Sequence, residues 1–275
     1  MRNQRLDDID PEEEKLRGAR SVEQDEQTVE EVLLAHLEPL IEDKLIDDII
    51  RPIKSGKEAV VYCCRANESL GGGLIAAKIY RPVERRSFKN DAVYQQGRER
   101  GARPDARTLR ALGKKTKRGR VHKFSAWIAH EFRTMSLLYQ AGADVPEPID
   151  RVGPVILMEY FGDEQGPAPV LVGVSLDASE VTTIYQQILR NIEIFLVQHR
   201  IHADLSAYNM LYVKDHIVVI DFPQSVDTRY NDEAFELLTR DLKNVNAYFR
   251  DYDFDVVDPF YHTLDLWRKH VDPMR

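Results

Sequence analysis

Cysteine is nearly absent from this sequence. Cys63 and Cys64 are the only two and they are adjacent, which argues against a disulfide framework, because neighbours bridge poorly and no second pair exists. The same shortage removes a four-cysteine zinc site. Long apolar runs are missing as well: nowhere do about eighteen apolar residues follow one another, the length that a membrane-crossing helix needs. The chain opens on Arg2, Arg5, Asp7 and Asp8, not on a basic stretch leading into an apolar core, so no export leader is expected. Unpaired thiols and the lack of spans predict a protein of the reducing cytoplasm with no membrane partner. Positive charge is scarce overall, at a net charge of -8, but it is not scarce everywhere.

What is present is ordinary globular material: 275 residues with 43% hydrophobic and 31% charged content, enough for one large domain or two lobes sharing a cleft. The charge is unevenly spread. Residues 1–50 hold sixteen acidic and six basic side chains, a net of -10, while residues 81–123 hold fifteen basic and four acidic, a net of +11. A polyanion such as RNA or the ribosome is a candidate partner for the second stretch, since clustered Lys and Arg gain affinity by releasing counterions. The plain alternatives are a solvated loop or docking against the acidic N-terminus. Phe88, Tyr94 and Phe124 offer little for base stacking.

Residues 1–27 are acidic and poor in large apolar groups, so a disordered tail is expected. A helical extension follows at 28–48: Thr28 and Glu31 have capping-box spacing, Leu33, Leu37, Leu40, Ile41 and Leu45 recur at helical intervals, and Pro39 kinks or divides the helix. Residues 49–160 read as an N-terminal lobe. Three antiparallel strands are expected at 49–53, 59–65 and 74–80, then the basic insert 81–123, a helix over 124–141 ending at Gly142, and a buried strand at 155–161. The C-terminal lobe, 161–275, is mainly helical, with a helix over 180–199, a hairpin of 210–213 with 217–220, and a final helix capped by Asp258 with Pro259 at its first position. Sheet first and helices afterwards define an α+β, two-lobed architecture.

The chemistry concentrates in H-A-D-L-S-A-Y-N at 202–209 and I-D-F at 220–222. Phosphoryl transfer needs a group to position the acceptor hydroxyl and oxygen ligands for magnesium. A kinase catalytic loop supplies an Asp followed five residues later by an Asn, the interval of Asp204 and Asn209. Asp221, at a nearby strand end, is placed to be the second metal ligand. Each residue alone reads more simply as a turn or cap; the spacing of the set carries the argument. Independently, Lys78 interrupts an apolar strand. An edge lysine reaching solvent is the default, but a kinase strand lysine contacts phosphates and pairs with a helix glutamate, a role Glu131 fits. Between the first strands, Ser55 and Gly56 sit in a turn that can approach phosphate, although one glycine is weak evidence alone.

These motifs resemble the RIO family of atypical serine/threonine protein kinases, most closely its type-one branch. The resemblance spans roughly 45–250 and rests on S-G-K-E-A at 55–59, A-K-I-Y at 77–80, W-I-A-H-E-F-R at 127–133 and A-G-A-D-V-P-E-P at 141–148. It continues through L-M-E-Y-F-G at 157–162, P-A-P at 167–169, the two catalytic motifs, and R-D-L-K-N at 240–244. It implies a reduced bilobal protein-kinase-like fold, with ATP and magnesium as cofactors and manganese as an alternative ion. In that reading Ser55 and its loop cover the phosphates, Lys78 holds them and Glu131 orients Lys78. Met158 stands behind adenine, and the backbone of Glu159 and Phe161 bonds its edge. Asp204 is the catalytic aspartate, and Asn209 and Asp221 hold magnesium.

Two departures from ordinary kinases matter. Ala203 stands where H-R-D has arginine, and Pro223 where D-F-G has glycine; no A-P-E element follows, so peptide-substrate rules do not transfer. Three activities stay open at this point, and a fourth reading is disfavoured. A protein kinase acting on a partner or on itself is first, with Ser87, Thr108, Thr116 and Ser125 as candidate acceptors. An ATPase switch in ribosome or RNA maturation, with Asp221 transiently phosphorylated, is second. A small-molecule kinase of aminoglycoside-phosphotransferase type is third, and a dead binding module is disfavoured because all five polar residues are present.

Overall fold

Alternation along one strand decides the architecture. In the computed structural model, which describes residues 31–81 and 117–272, strand β3 spans Leu74–Tyr80 and is buried along almost its whole length. Its Ile75, Ala77 and Ile79 enter an apolar cluster on the outer face of the sheet. Ala76, Lys78 and Tyr80 point the other way and line a cleft. Successive strand side chains must face opposite sides, so a run that is apolar on both sides still delivers one lysine to the inner face.

Strands β1 (Ile46–Ser55) and β2 (Ala59–Ala66) precede β3, and β4 (Pro148–Val152) and β5 (Val155–Glu159) follow it. They form one antiparallel sheet in the order β1-β2-β3-β5-β4. Lys78 pairs with Val61 on one side and Ile156 on the other. The outer face is covered by Leu33, Leu37 and Leu40. Pro39 divides this N-terminal helix as expected: a short helix, α1 (Glu38–Glu42), starts with the proline in its first turn. β1 starts at Ile46, inside the span read as helical extension, and β5 stops at Glu159, two residues before the expected end.

Helix α2 (Lys117–Gln140) starts seven residues before the position predicted and takes in the end of the basic stretch. The rest of that stretch, with Ser87, Thr108 and Thr116, lies outside the described residues, as does the acidic segment 1–27. Ile128, Met135 and Leu138 of α2 join the core of the second lobe. That core is built on α3 (Ala178–Val197) and α4 (Ala234–Arg250), with α5 (Pro259–His270) behind them. The Asp177 carboxylate accepts from the Ser179 and Glu180 amides and closes a capping box at the start of α3. Asp258 caps α5 by accepting from the Phe260 and Tyr261 amides, with Pro259 following.

Four short strands shape the floor of the cleft: β6 (Arg200–Ile201) pairs with β9 (Val226–Asp227), and β7 (Met210–Val213) with β8 (His216–Val219). The β7–β8 turn is Lys214 and Asp215, both at positive φ, the conformation of a two-residue hairpin whose twist suits its strands. Among the described residues no helix is long and apolar enough to cross a membrane.

Candidate functional site

Between the sheet and the helical lobe lies a cavity of about 760 Å³, the size of a nucleotide-like ligand site. Its roof is Gly56, Val61 and Ala76; its back is Met158 and the linker residues Glu159 to Phe161; its floor includes Tyr208, Leu211 and Ile220. Lys78, Glu131, Asp204 and Asp221 all line it.

The Lys78 ammonium donates to Glu131 Oε1 at 2.7 Å and to Asp221 Oδ1 at 2.6 Å. Lys78 comes from β3, Glu131 from the middle of α2 and Asp221 from the loop after β8, so one cation ties three elements. Lys78 and Glu131 are buried, whereas the Asp221 side chain is 38% exposed. Burial works to lower the pKa of Lys78, but the charges of Asp221 and Glu131 outweigh it and raise it. Two carboxylates share one ammonium, and the deeper one yields: burial pushes Glu131 up to about 7, against the pull of Lys78. Burial also tends to raise Asp221, but the adjacent Lys78 charge and hydrogen bond leave it below the ordinary carboxylate range. Of the two carboxylates, Asp221 is the one that Lys78 holds toward the charged form.

The catalytic-loop motif is shaped by contacts from distant residues. Ala203 has φ 63 and Asp221 φ 74, left-handed conformations that cost about 1–2 kcal/mol each for residues with a side chain. Buried Asp241 in α4 offsets the first. Its carboxylate accepts from the Ala203 N–H at 2.7 Å and the Leu205 N–H at 3.0 Å, bracketing Asp204 from behind, and Arg240 donates to the Ala203 carbonyl. His202 Nε2 donates to the Ile220 carbonyl at 3.1 Å, and its ring lies against Phe222. Burial lowers the His202 pKa and keeps it neutral, so it serves as a strut between the two motifs.

Asn209 lies beneath the cavity wall, buried, in a single 3-10 turn at Ala207–Asn209. Its side-chain NH2 donates to the Asp204 carbonyl at 2.9 Å, which leaves its amide oxygen as the group offered to a ligand. Carboxylate and amide oxygens suit a hard cation such as magnesium, and the Lys78 ammonium already stands at Asp221 as a positive charge. The donor set therefore fits such an ion. Among the described residues no cluster of three or more His, Cys, Asp or Glu side chains forms a metal cage.

Two sequence-derived positions are engaged otherwise. The Ser55 hydroxyl accepts from Arg81 Nη2 at 2.9 Å and Ser55 is not among the cavity-lining residues. The Phe161 carbonyl accepts from the Ala168 N–H at 2.8 Å, so its own N–H is the group left for a ligand. Sequence reasoning missed the clamp on this linker. Arg51 of β1 donates to the Gln165 carbonyl at 2.5 Å, to the Asp163 carbonyl at 3.1 Å and to the Tyr160 hydroxyl at 3.2 Å. The turn it grips needs Gly162, where a Cβ would lie 2.3 Å from the Gly166 carbonyl oxygen. It missed His130 too, one residue before Glu131. His130 Nε2 reaches the Ser225 carbonyl at 2.9 Å and its hydroxyl at 3.0 Å, tying α2 to the segment that follows Asp221.

The five-stranded sheet, the pairing helix and the helical second lobe make this a reduced bilobal protein-kinase-like fold, as the sequence led one to expect. A family model described as the RIO domain matches residues 60–260. The serine/threonine-protein kinase rio1 of Schizosaccharomyces pombe is 34% identical over 213 residues, covering 77% of this chain and 40% of the relative. The RIO-type serine/threonine-protein kinase Rio1 of Haloferax volcanii is 30% identical over 249 residues, covering 88% and 77%. The crystal structure of the Rio2 kinase from Chaetomium thermophilum in an ADP/Mg2+-phosphoaspartate complex superposes with a TM-score of 0.61 at 21% identity, over 86% of this chain and 65% of that one; the likeness is one of fold. The chain belongs to the RIO family, and its Rio1 relatives set it in the type-one branch. It spans about two fifths of the length of the S. pombe, Caenorhabditis elegans and human relatives.

Proposed function

We propose that this protein is an ATP- and magnesium-dependent phosphotransferase, an atypical serine/threonine protein kinase of RIO type that acts on a protein hydroxyl, its own included. The observation that carries this is the Lys78 ammonium held between Glu131 and Asp221 on the wall of the cavity that Asp204 also lines. On this reading Lys78 holds the nucleotide phosphates and Glu131 keeps Lys78 in place. Asp204 accepts or orients the acceptor hydroxyl, and Met158, the Glu159 backbone and the Phe161 N–H receive the adenine. Asp221 and Asn209 hold magnesium, or manganese in its place, and the ion neutralises charge on the transferring phosphoryl group.

A second reading has its own support. The Rio2 structure is described as a phosphoaspartate complex, and here Asp221 is an ionised, partly exposed carboxylate on the cavity wall. An ATPase switch that passes through phosphorylated Asp221 uses the same residues. For the basic stretch 81–123, contact with RNA or the ribosome is the reading that its net charge of +11 supports. The cytoplasm is the compartment that suits two free, buried thiols.

Incubation with magnesium and ATP labelled on its γ-phosphate tests both readings. Label on the protein that survives hydroxylamine identifies Ser or Thr phosphate and the kinase reading. Label released by hydroxylamine identifies an acyl phosphate and, if lost in Asp221→Asn, the switch. The absence of labelled protein, of labelled partner and of free phosphate together would sink the proposal.

A further inference from the structure

Loops that cover phosphates usually do so with backbone amides and a small hydroxyl, and here the Gly56 amide and the Ser55 hydroxyl are engaged within the loop and by Arg81. The Gly56 N–H donates to the Ala59 carbonyl at 2.9 Å, closing the turn between β1 and β2. The Gly56 carbonyl accepts from Arg81 Nε at 3.0 Å, and the Ser55 hydroxyl accepts from Arg81 Nη2 at 2.9 Å. The Arg81 N–H in turn donates to the Glu58 carbonyl at 2.9 Å. Arg81 thus locks the loop shut from the end of β3.

The charge balance points the same way. Lys78 is shared by two carboxylates, Glu131 and Asp221, and Asp204 adds a third carboxylate to the same wall. Lys78 is fully subscribed. Beyond a bound metal ion, a polyphosphate entering this cavity gains from a side-chain cation that is not already paired.

Lys54 meets that requirement. It is the last residue but one of β1, exposed, and it lines the cavity together with Lys78 and Asp221. Among the described residues it makes no ion pair. A lysine carries a compact charge on a flexible four-carbon stem, which suits a phosphate chain that arrives and leaves.

We infer that Lys54 is a second phosphate-binding cation of the site, reaching the nucleotide from β1 as Lys78 reaches it from β3. This rests on the nucleotide reading above. Titration of the whole protein with adenosine, magnesium-ADP and magnesium-ATP tests it. In the unaltered protein, affinity rises with the number of phosphates. Lys54→Met should weaken magnesium-ATP by about tenfold and leave adenosine unchanged, and Lys54→Arg should restore most of the loss. If Lys54→Met keeps the unaltered ratio of magnesium-ATP to adenosine affinity, or weakens adenosine equally, the assignment of Lys54 is overturned. If the unaltered protein gains nothing from phosphates, the nucleotide reading itself falls, and this inference with it.

Discussion

Lys78 Nζ lies 2.6 Å from Asp221 Oδ1, so the strand lysine pairs with the carboxylate proposed to hold magnesium. If Asp221 is a magnesium ligand, as proposed, its carboxylate would be shared between the ion and Lys78, while Glu131 keeps its own bond to the ammonium. Asp221→Asn keeps the shape and removes the charge. It should lower magnesium-dependent ATP affinity by about 10–100-fold or more and turnover with it, while metal-free adenosine binding stays as it was. Normal magnesium-ATP affinity in calorimetry would remove Asp221 from the metal site.

Asp204 differs from Asp221 in having no bond to Lys78, and its neighbours Ala203 and Leu205 are pinned to Asp241. Asp204→Ala should reduce phosphoryl transfer to a hydroxyl by roughly 10²–10⁴-fold with ATP affinity intact. Steady-state kinetics beside a binding titration separates the two effects; an unchanged kcat would contradict the role.

Asp241 gives a pH signature. Burial raises its pKa to about 7, against the hydrogen bonds it accepts from Leu205 and Ala203, while in the unfolded chain it titrates near about 4. Between those values the folded protein keeps a proton that the unfolded chain has released, so this group makes stability fall as pH rises. The slope is at most about 1.4 kcal/mol per pH unit. Urea unfolding between pH 5 and pH 7 should show a shallower fall for Asp241→Asn than for the unaltered protein. Equal slopes would mean that Asp241 does not titrate in this window.

The contact between His130 and Ser225 joins the helix of Glu131 to the segment of Asp221. His130→Ala leaves the buried Ser225 carbonyl short of a donor, at a cost of about 1–3 kcal/mol. It should lower kcat more than it raises the KM for ATP, because the two carboxylates lose their common frame. His130→Gln, which can still donate, should recover part of both. A variant that unfolds more easily but turns over normally would restrict His130 to a structural role.

Much of the site was legible along the chain because local spacing encodes it. The Asp204 to Asn209 interval, the lysine inside an apolar strand and Glu131 within a periodic helix each need only a short window to be read. β4 was not legible: Pro148–Val152 is half-buried throughout, so it shows no alternation between apolar and polar faces. The early start of α2 was hidden by a first turn and a half rich in Lys and Arg, where no apolar stripe marks the boundary.

The sequence by itself determined the five polar residues, the two-lobed order of sheet and helices, and the family, because each follows from residue type and short-range periodicity. Only the tertiary structure decided what those residues do to one another. Ser55 and Arg81 are 26 positions apart, Ala203 and Asp241 38, and Lys78 and Asp221 143. Contacts at such separations depend on how the lobes pack. They decide that the Ser55 hydroxyl serves the loop, that Lys78 is shared between Glu131 and Asp221, and that Lys54 lines the cleft with no ion pair among the described residues.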